Sequence, residues 1–305
     1  MALTTAEVLN RMSDMESTEV DLLHRIMLYG PPGGGKTVLA MMVAQSLKTT
    51  GGRILYIDSK DGWVSLLDWP KLQVDVTRIQ YKGYADLPFL ASNIAKRTKG
   101  FEHFETVVID EESSIADQVL DTILRERLGT PPGEIPLSNP DWTDYRPMGA
   151  LITKAVEAFM DAGVHVILIS HSKTETDARK VIKTMPSDSA KLAGALQKLM
   201  HVTGYVSQEV TGTAIAPVLT RTVQSQQTGL IAAKTRIGAL RKGVKLDFMD
   251  FVTAIVEWGS SGDMAAEIGE SDAVAEAVLS TPDEIPTDGI PAVDNPDDEP
   301  IVIED

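Results

Sequence analysis

The run Gly30-Pro31-Pro32-Gly33-Gly34-Gly35-Lys36-Thr37 carries the clearest chemistry in this 305-residue chain. It fits the spacing G-x-x-x-x-G-K-[ST], in which glycines let successive backbone N–H groups converge on phosphate oxygens at a helix N-terminus. Lys36 then supplies a point charge for the β- and γ-phosphates, and Thr37 offers its hydroxyl to Mg²⁺. The eight residues together imply a bound nucleoside triphosphate. A second chemical element is Thr106-Val107-Val108-Ile109-Asp110-Glu111-Glu112. An apolar strand ending in Asp sets a carboxylate at a sheet's edge, where Asp110 can hold Mg²⁺ through water. Glu111 is expected to orient and deprotonate an attacking water. Glu112 is expected only to open the next helix, where an acid suits the dipole.

Such residues need elements to hold them. Apolar runs at 26–29, 53–58, 76–80, 106–110 and 164–170 predict strands, and helical patterns at 37–48, 86–99, 113–128 and 149–161 fill gaps between them. Continuous apolar strands such as Val164-His165-Val166-Ile167-Leu168-Ile169 are expected in a sheet covered on both faces. Alternating βα units therefore predict an α/β domain with a doubly wound, mostly parallel sheet. Beyond about residue 200 the pattern shifts to shorter β-like pieces, 202–208 and 214–223, which predict an antiparallel C-terminal extension at one sheet edge.

Composition bounds the rest. The chain is 43% hydrophobic and 24% charged, enough for one sizeable core. It has no cysteine, which excludes disulfides, zinc knuckles and thiol nucleophiles and fits a cytoplasmic setting. Residues 1–21 alternate polar and apolar side chains and carry acids, unlike a signal peptide, and a helical segment is expected over 1–24. No apolar run approaches the roughly 20 residues of a membrane span. The net charge of −16 is uneven: residues 259–305 hold fourteen Asp or Glu and no Lys or Arg, leaving thirty acids against twenty-eight bases elsewhere. That tail, rich in Pro, Ser and Thr, is expected to be disordered. It is either a solubilising segment, an acidic arm competing with DNA for a basic groove, or a partner-binding arm through Pro300-Ile301-Val302-Ile303.

The order of these motifs, followed by Val166-Ile167-Leu168-Ile169-Ser170-His171 and then Lys234-Thr235-Arg236-Ile237-Gly238, resembles the RecA/KaiC-type ATPases. Within that group it looks most like the phage-encoded RecA-like ATPases assigned to single-strand annealing and recombination. The resemblance covers residues 25–258 and implies a RecA-like fold, with ATP and Mg²⁺ as ligands. It implies that His171 senses the γ-phosphate, and that Lys234 and Arg236 form a finger inserted into a neighbour's site. A finger acting in trans implies a head-to-tail ring or filament. One departure stands out. Where the group has Thr-Glu-Gly after the Ile-Asp strand end, this chain reads Ile57-Asp58-Ser59-Lys60-Asp61-Gly62. A lysine among phosphates stays protonated and is no base. That leaves Asp61, by a one-residue shift, or Glu111, or slow hydrolysis.

Two segments are candidates for nucleic-acid contact. Residues 129–147 are expected to form a loop in which Trp142 and Tyr145 stack bases. Residues 171–190 carry Lys173, Arg179, Lys180 and Lys183, a basic loop suited to phosphates. In RecA-like proteins, loops at these two places face the ring or filament axis. The expected function is thus a Mg²⁺-dependent ATPase, its turnover DNA-stimulated, acting on single-stranded DNA in recombination or replication. The alternatives are a nucleotide-dependent loader that binds a single-strand binding or replication protein, and a protein that keeps ATP as a structural ligand.

Overall fold

A computed structural model describes residues 22–131, 134, 139–176, 182–187, 189–212, 217–241 and 245–260. The expected N-terminal helix over 1–24 and the acidic tail over 259–305 lie outside the described residues except at 22–24 and 259–260, as do Arg179 and Lys180.

The chain opens with β1 (Arg25–Gly30), α1 (Lys36–Leu47), β2 (Arg53–Asp58), β3 (Val76–Gln80), α2 (Asp86–Ala95), β4 (Phe104–Asp110) and α3 (Glu112–Leu128). It continues through α4 (Trp142–Asp161), β5 (His165–Thr176), β6 (Ile182–Pro186), α5 (Ala190–Leu199), β7 (Val202–Gly212) and β8 (Pro217–Gln224). Short strands β9 (Lys234–Thr235) and β10 (Leu246–Asp247) precede the last helix, α6 (Phe248–Ser260). The sheet order is β10-β8-β7-β1-β5-β4-β2-β3. Strands β7, β1, β5, β4, β2 and β3 run parallel, β8 runs antiparallel to β7, and β10 runs antiparallel to β8. The predicted antiparallel extension is present, with one difference. Residues 202–205 of β7 first pair in parallel with β1, and the strand then runs on past β1's end to pair with β8.

Strand residues alternate between two cores because side chains on a strand have period two. Met27, Leu55, Ile57, Val107, Ile109, Val166 and Leu168 face a core shared with α2, α3, α4 and α5. Their neighbours Ile26, Leu28, Ile54, Tyr56, Val108, Ile167 and Ile169 face α1 and α6. Helices therefore cover both faces, which is why these strands are apolar throughout. Each such fully buried aliphatic side chain contributes about 1.5–3 kcal/mol relative to exposure.

Two predicted boundaries are corrected. Helix α4 begins at Trp142 and not at residue 149, because Asp141 and Asp144 form a reciprocal capping box, and Pro147 is carried inside the helix. Trp142 and Tyr145 thus sit on a helix and not in the loop expected over 129–147. Helix α2 ends at Ala95, short of residue 99, as Arg97 turns left-handed with φ 49°.

At the strands' N-terminal edge, the rings of His24 and His201 both stand edge-on to Trp258, with centroids 5.4 and 5.3 Å away. Burial and the nearby Arg25 and Arg236 push His201 down to about 4 from 6.5, so the folded protein keeps it neutral. The unfolded chain then binds the proton more tightly, and stability present above pH 6.5 drains away as pH falls towards 4. Urea unfolding across that range should show a shallower loss in His201→Phe than in the wild type.

Candidate functional site

The register of three strands assembles the site. Gly30, the last residue of β1, pairs with His171 on β5, and Asp110, the last residue of β4, pairs with Ile169 on β5. The phosphate loop, His171, Asp110 and Glu111 therefore emerge at one sheet edge, with β5 between the two motif strands. They line a cleft of about 530 Å³ with Lys60, Gly62, Asp68, Trp69 and Arg221 among its walls. That volume suits a small-molecule ligand.

The loop is shaped as phosphate binding requires. Gly33 and Gly35 hold φ of 76° and 90°, which only glycine adopts readily. The Gly30 Cα hydrogens face the Val206 carbonyl of β7 closely enough to leave no room for a side chain. Lys36, largely buried, donates to the carbonyls of Gly30 and Pro31 at 3.0 Å each, closing the loop on itself. Amides of the first helical turn lack intrahelical partners and face an anion site by geometry.

Asp110 is the deepest charged group in the cleft. Thr37 Oγ1 donates to its Oδ2 at 2.7 Å, and the Tyr56 hydroxyl donates to the same oxygen. Burial raises its carboxyl pKa, partly offset by those two hydrogen bonds. Hydroxyl and carboxylate oxygens form a hard donor set that fits Mg²⁺, which keeps waters and takes its remaining ligands from phosphates. Among the described residues no group of three or more His, Cys, Asp or Glu is placed to hold a metal ion. Thr37 and Asp110 are the residues that would hold Mg²⁺.

Glu111 sits beside Lys36 and is 7% exposed. Burial raises its pKa, with Lys36 the main opposing influence. His171 Nε2 lies 2.8 Å from Glu111 Oε1, and the His171 amide donates to Ser113 Oγ at 3.3 Å. Burial, then Lys36 and Lys60, lower the His171 pKa, which favours the neutral ring beside the carboxylate. Ser59 Oγ accepts from the Glu111 amide at 2.8 Å and donates to the Glu111 carbonyl at 3.1 Å, fixing the backbone that aims this side chain. The Asp110–Glu111 peptide is cis.

Other sequence candidates land elsewhere. Asp61 is largely exposed and held by Arg78 at 2.9 Å, outside the cleft walls. The structure brings Glu111, and not Asp61, to the phosphate loop. Lys234 and Arg236 lie by the start of β7, at the edge opposite their own cleft. Lys234 Nζ there donates to the Gln197 and Met200 carbonyls at the end of α5, at 2.9 and 3.0 Å. Lys173 and Lys183 sit on the β5–β6 hairpin, with Lys173 paired to Glu175 at 2.5 Å. Sequence reasoning missed Tyr56, Asp68, Trp69 and Arg221, none of which belongs to a contiguous motif, and gave no role to Ser59 in the run after β2.

A glycine-rich loop capped by Lys-Thr, with a strand-end Asp beside it, defines a P-loop nucleotide-binding domain. Residues 24–237 match the family described as an AAA domain, and the chain belongs to that family. No protein of curated function matches the chain. Among solved structures it is similar to the flagellar accessory protein FlaH from Methanocaldococcus jannaschii, at 10% identity and a TM-score of 0.35, covering 66% of this chain and 78% of that one. It is also similar to an ATPase from the type III secretion system of pathogenic bacteria, at 11% identity and a TM-score of 0.37, covering 60% of this chain and 51% of that one. Among the described residues no helix is long and apolar enough to cross a membrane.

Gly62 packs directly against Asp110, and an added Cβ would collide with Oδ2 and stand 2.8 Å from the Tyr56 hydroxyl. Gly62→Ala should cost about 1–3 kcal/mol in urea unfolding. It should also weaken Mg²⁺-dependent nucleotide binding through the displaced carboxylate, measured by calorimetric titration.

Proposed function

We propose that this P-loop domain hydrolyses ATP with Mg²⁺ and couples turnover to single-stranded DNA in recombination or replication. The observation that carries the proposal is the convergence of Lys36, Thr37, Asp110, Glu111 and His171 on one cleft. Glu111 accepts a proton from water as the water oxygen bonds to the γ-phosphorus. The bond from that phosphorus to the β–γ bridging oxygen then breaks, and ADP leaves. When bound, Mg²⁺ neutralises charge on the phosphate oxygens. Lys36 does the same from the protein, and His171 stands beside Glu111 and meets the γ-phosphate. Trp69, half-exposed on the cleft wall, offers an aromatic face for the base.

The DNA half of the proposal is supported by β5. This one strand runs from His171 at the cleft straight into the hairpin that carries Lys173 and Lys183, so nucleotide state and hairpin share a backbone. The resemblance to phage RecA-like annealing ATPases points the same way. Lys234 and Arg236 face away from their own cleft, so they meet a phosphate only in a head-to-tail neighbour. The Lys173–Glu175 pair favours a second reading, since it neutralises part of the hairpin's charge. In that reading the hairpin docks a replication protein and not DNA.

Steady-state ATP hydrolysis with and without single-stranded DNA separates these. Stimulation by DNA that disappears in Lys36→Ala supports the DNA-coupled ATPase, and DNA-indifferent turnover favours the protein-docking reading. Glu111→Gln should lower kcat by about 10²–10⁴ while leaving ATP binding nearly intact. Lys173→Ala with Lys183→Ala should weaken single-strand binding and flatten its salt dependence.

A further inference from the structure

Arg221 belongs to no motif, yet it lines the phosphate cleft. It sits on β8 opposite Gln208 of β7, in the part of the hairpin that runs past the end of β1 and stands beside the phosphate loop. Its stem lies across Gly35: a Cβ added there would stand 3.0 Å from Arg221 Cδ and 3.3 Å from Nε, with the Phe248 ring at 3.2 Å. Gly35 is therefore required twice, for its left-handed backbone and for the space that Arg221 occupies.

The exposed guanidinium has no hydrogen-bond or carboxylate partner among the described residues. Neither does Lys60, which lines the same cleft. Other arginines beside carboxylates are engaged, as Arg78 is by Asp58 and Arg127 by Asp144. A planar fork of donors left open over a phosphate loop matches a phosphate better than any protein group nearby. Lys234 and Arg236 are at the far edge of the sheet and do not supply this charge to their own cleft.

We propose that Arg221 is a phosphate-binding residue acting in its own subunit, clamping the nucleotide's phosphate chain against Gly35 and Lys36. The proposal rests on the nucleotide reading given above and adds to it a cation supplied in cis by the β7–β8 hairpin. The hairpin then registers the presence of a polyphosphate directly, independently of any neighbour.

The test is equilibrium titration of the full-length protein with ATP and with inorganic tripolyphosphate, at low and high salt. Arg221→Met keeps the stem over Gly35 and removes the charge, and Arg221→Lys restores a cation without the fork. Arg221→Met should weaken both ligands by about tenfold or more, with a flatter salt dependence, and Arg221→Lys should recover part of the loss. The unfolding midpoint without nucleotide should not move, because the guanidinium has no protein partner to lose. Unchanged affinity for both ligands in Arg221→Met overturns the proposal while leaving ATP binding intact. A wild type that binds neither ligand overturns the nucleotide reading and this proposal together. Mixing Arg221→Met with Lys36→Ala distinguishes subunits: recovered binding overturns the assignment in cis, and no recovery supports it.

Discussion

A carboxylate held out of water organises the cleft. Asp110 is 5% exposed, and its Oδ2 receives hydroxyls from α1 (Thr37) and β2 (Tyr56) while Gly62 closes over it. Two hydrogen bonds only partly offset the desolvation of a buried charge, so the group is poised for a cation. Its neighbours follow from that need. Ser59 ties the turn after β2 to the backbone of Asp110 and Glu111, and Asp58, satisfied by Arg78 and the Gly62 amide, shapes that same turn. The phosphate loop is thereby set against a wall whose geometry is fixed from three directions.

Charge is sorted along the strands. At their C-terminal edge Lys36, Lys60 and Arg221 line one cleft together with Asp110, Glu111 and Asp68. At the N-terminal edge Lys234 and Arg236 cap the end of α5, where carbonyls and the helix dipole favour cations. The same chain thus presents an anion-receiving end and a cation-bearing end, with two hydrophobic layers between them.

Much of this was legible in the sequence where the chemistry is contiguous. The phosphate loop reads directly because its eight residues act through their own backbone, and Asp110 reads because a buried parallel strand must be apolar until its end. What failed to read depends on contacts across the sheet. Arg221 reaches Gly35 only because β7 outruns β1 and pairs with β8 in one particular register. Glu111 and Asp61 were equal candidates on paper, and what separates them is Arg78, whose guanidinium holds Asp61 outside the cleft. The start of α4 was obscured by Pro147, which reads as a breaker, while an Asp-Asp capping box is a weaker signature than one closed by Glu or Gln.

The twelve-residue strand β5 contains neither glycine nor proline, and so has no hinge between His171 and Thr176. At about 3.3 Å per residue, the five residues beyond His171 form an arm roughly 17 Å long. A tilt of about 10° at the cleft sweeps the end of such an arm through about 3 Å. The strand is thus a lever with its fulcrum at His171. Leverage works in both directions, so a load on the hairpin is felt as torque at His171 and at the Glu111 carboxylate beside it.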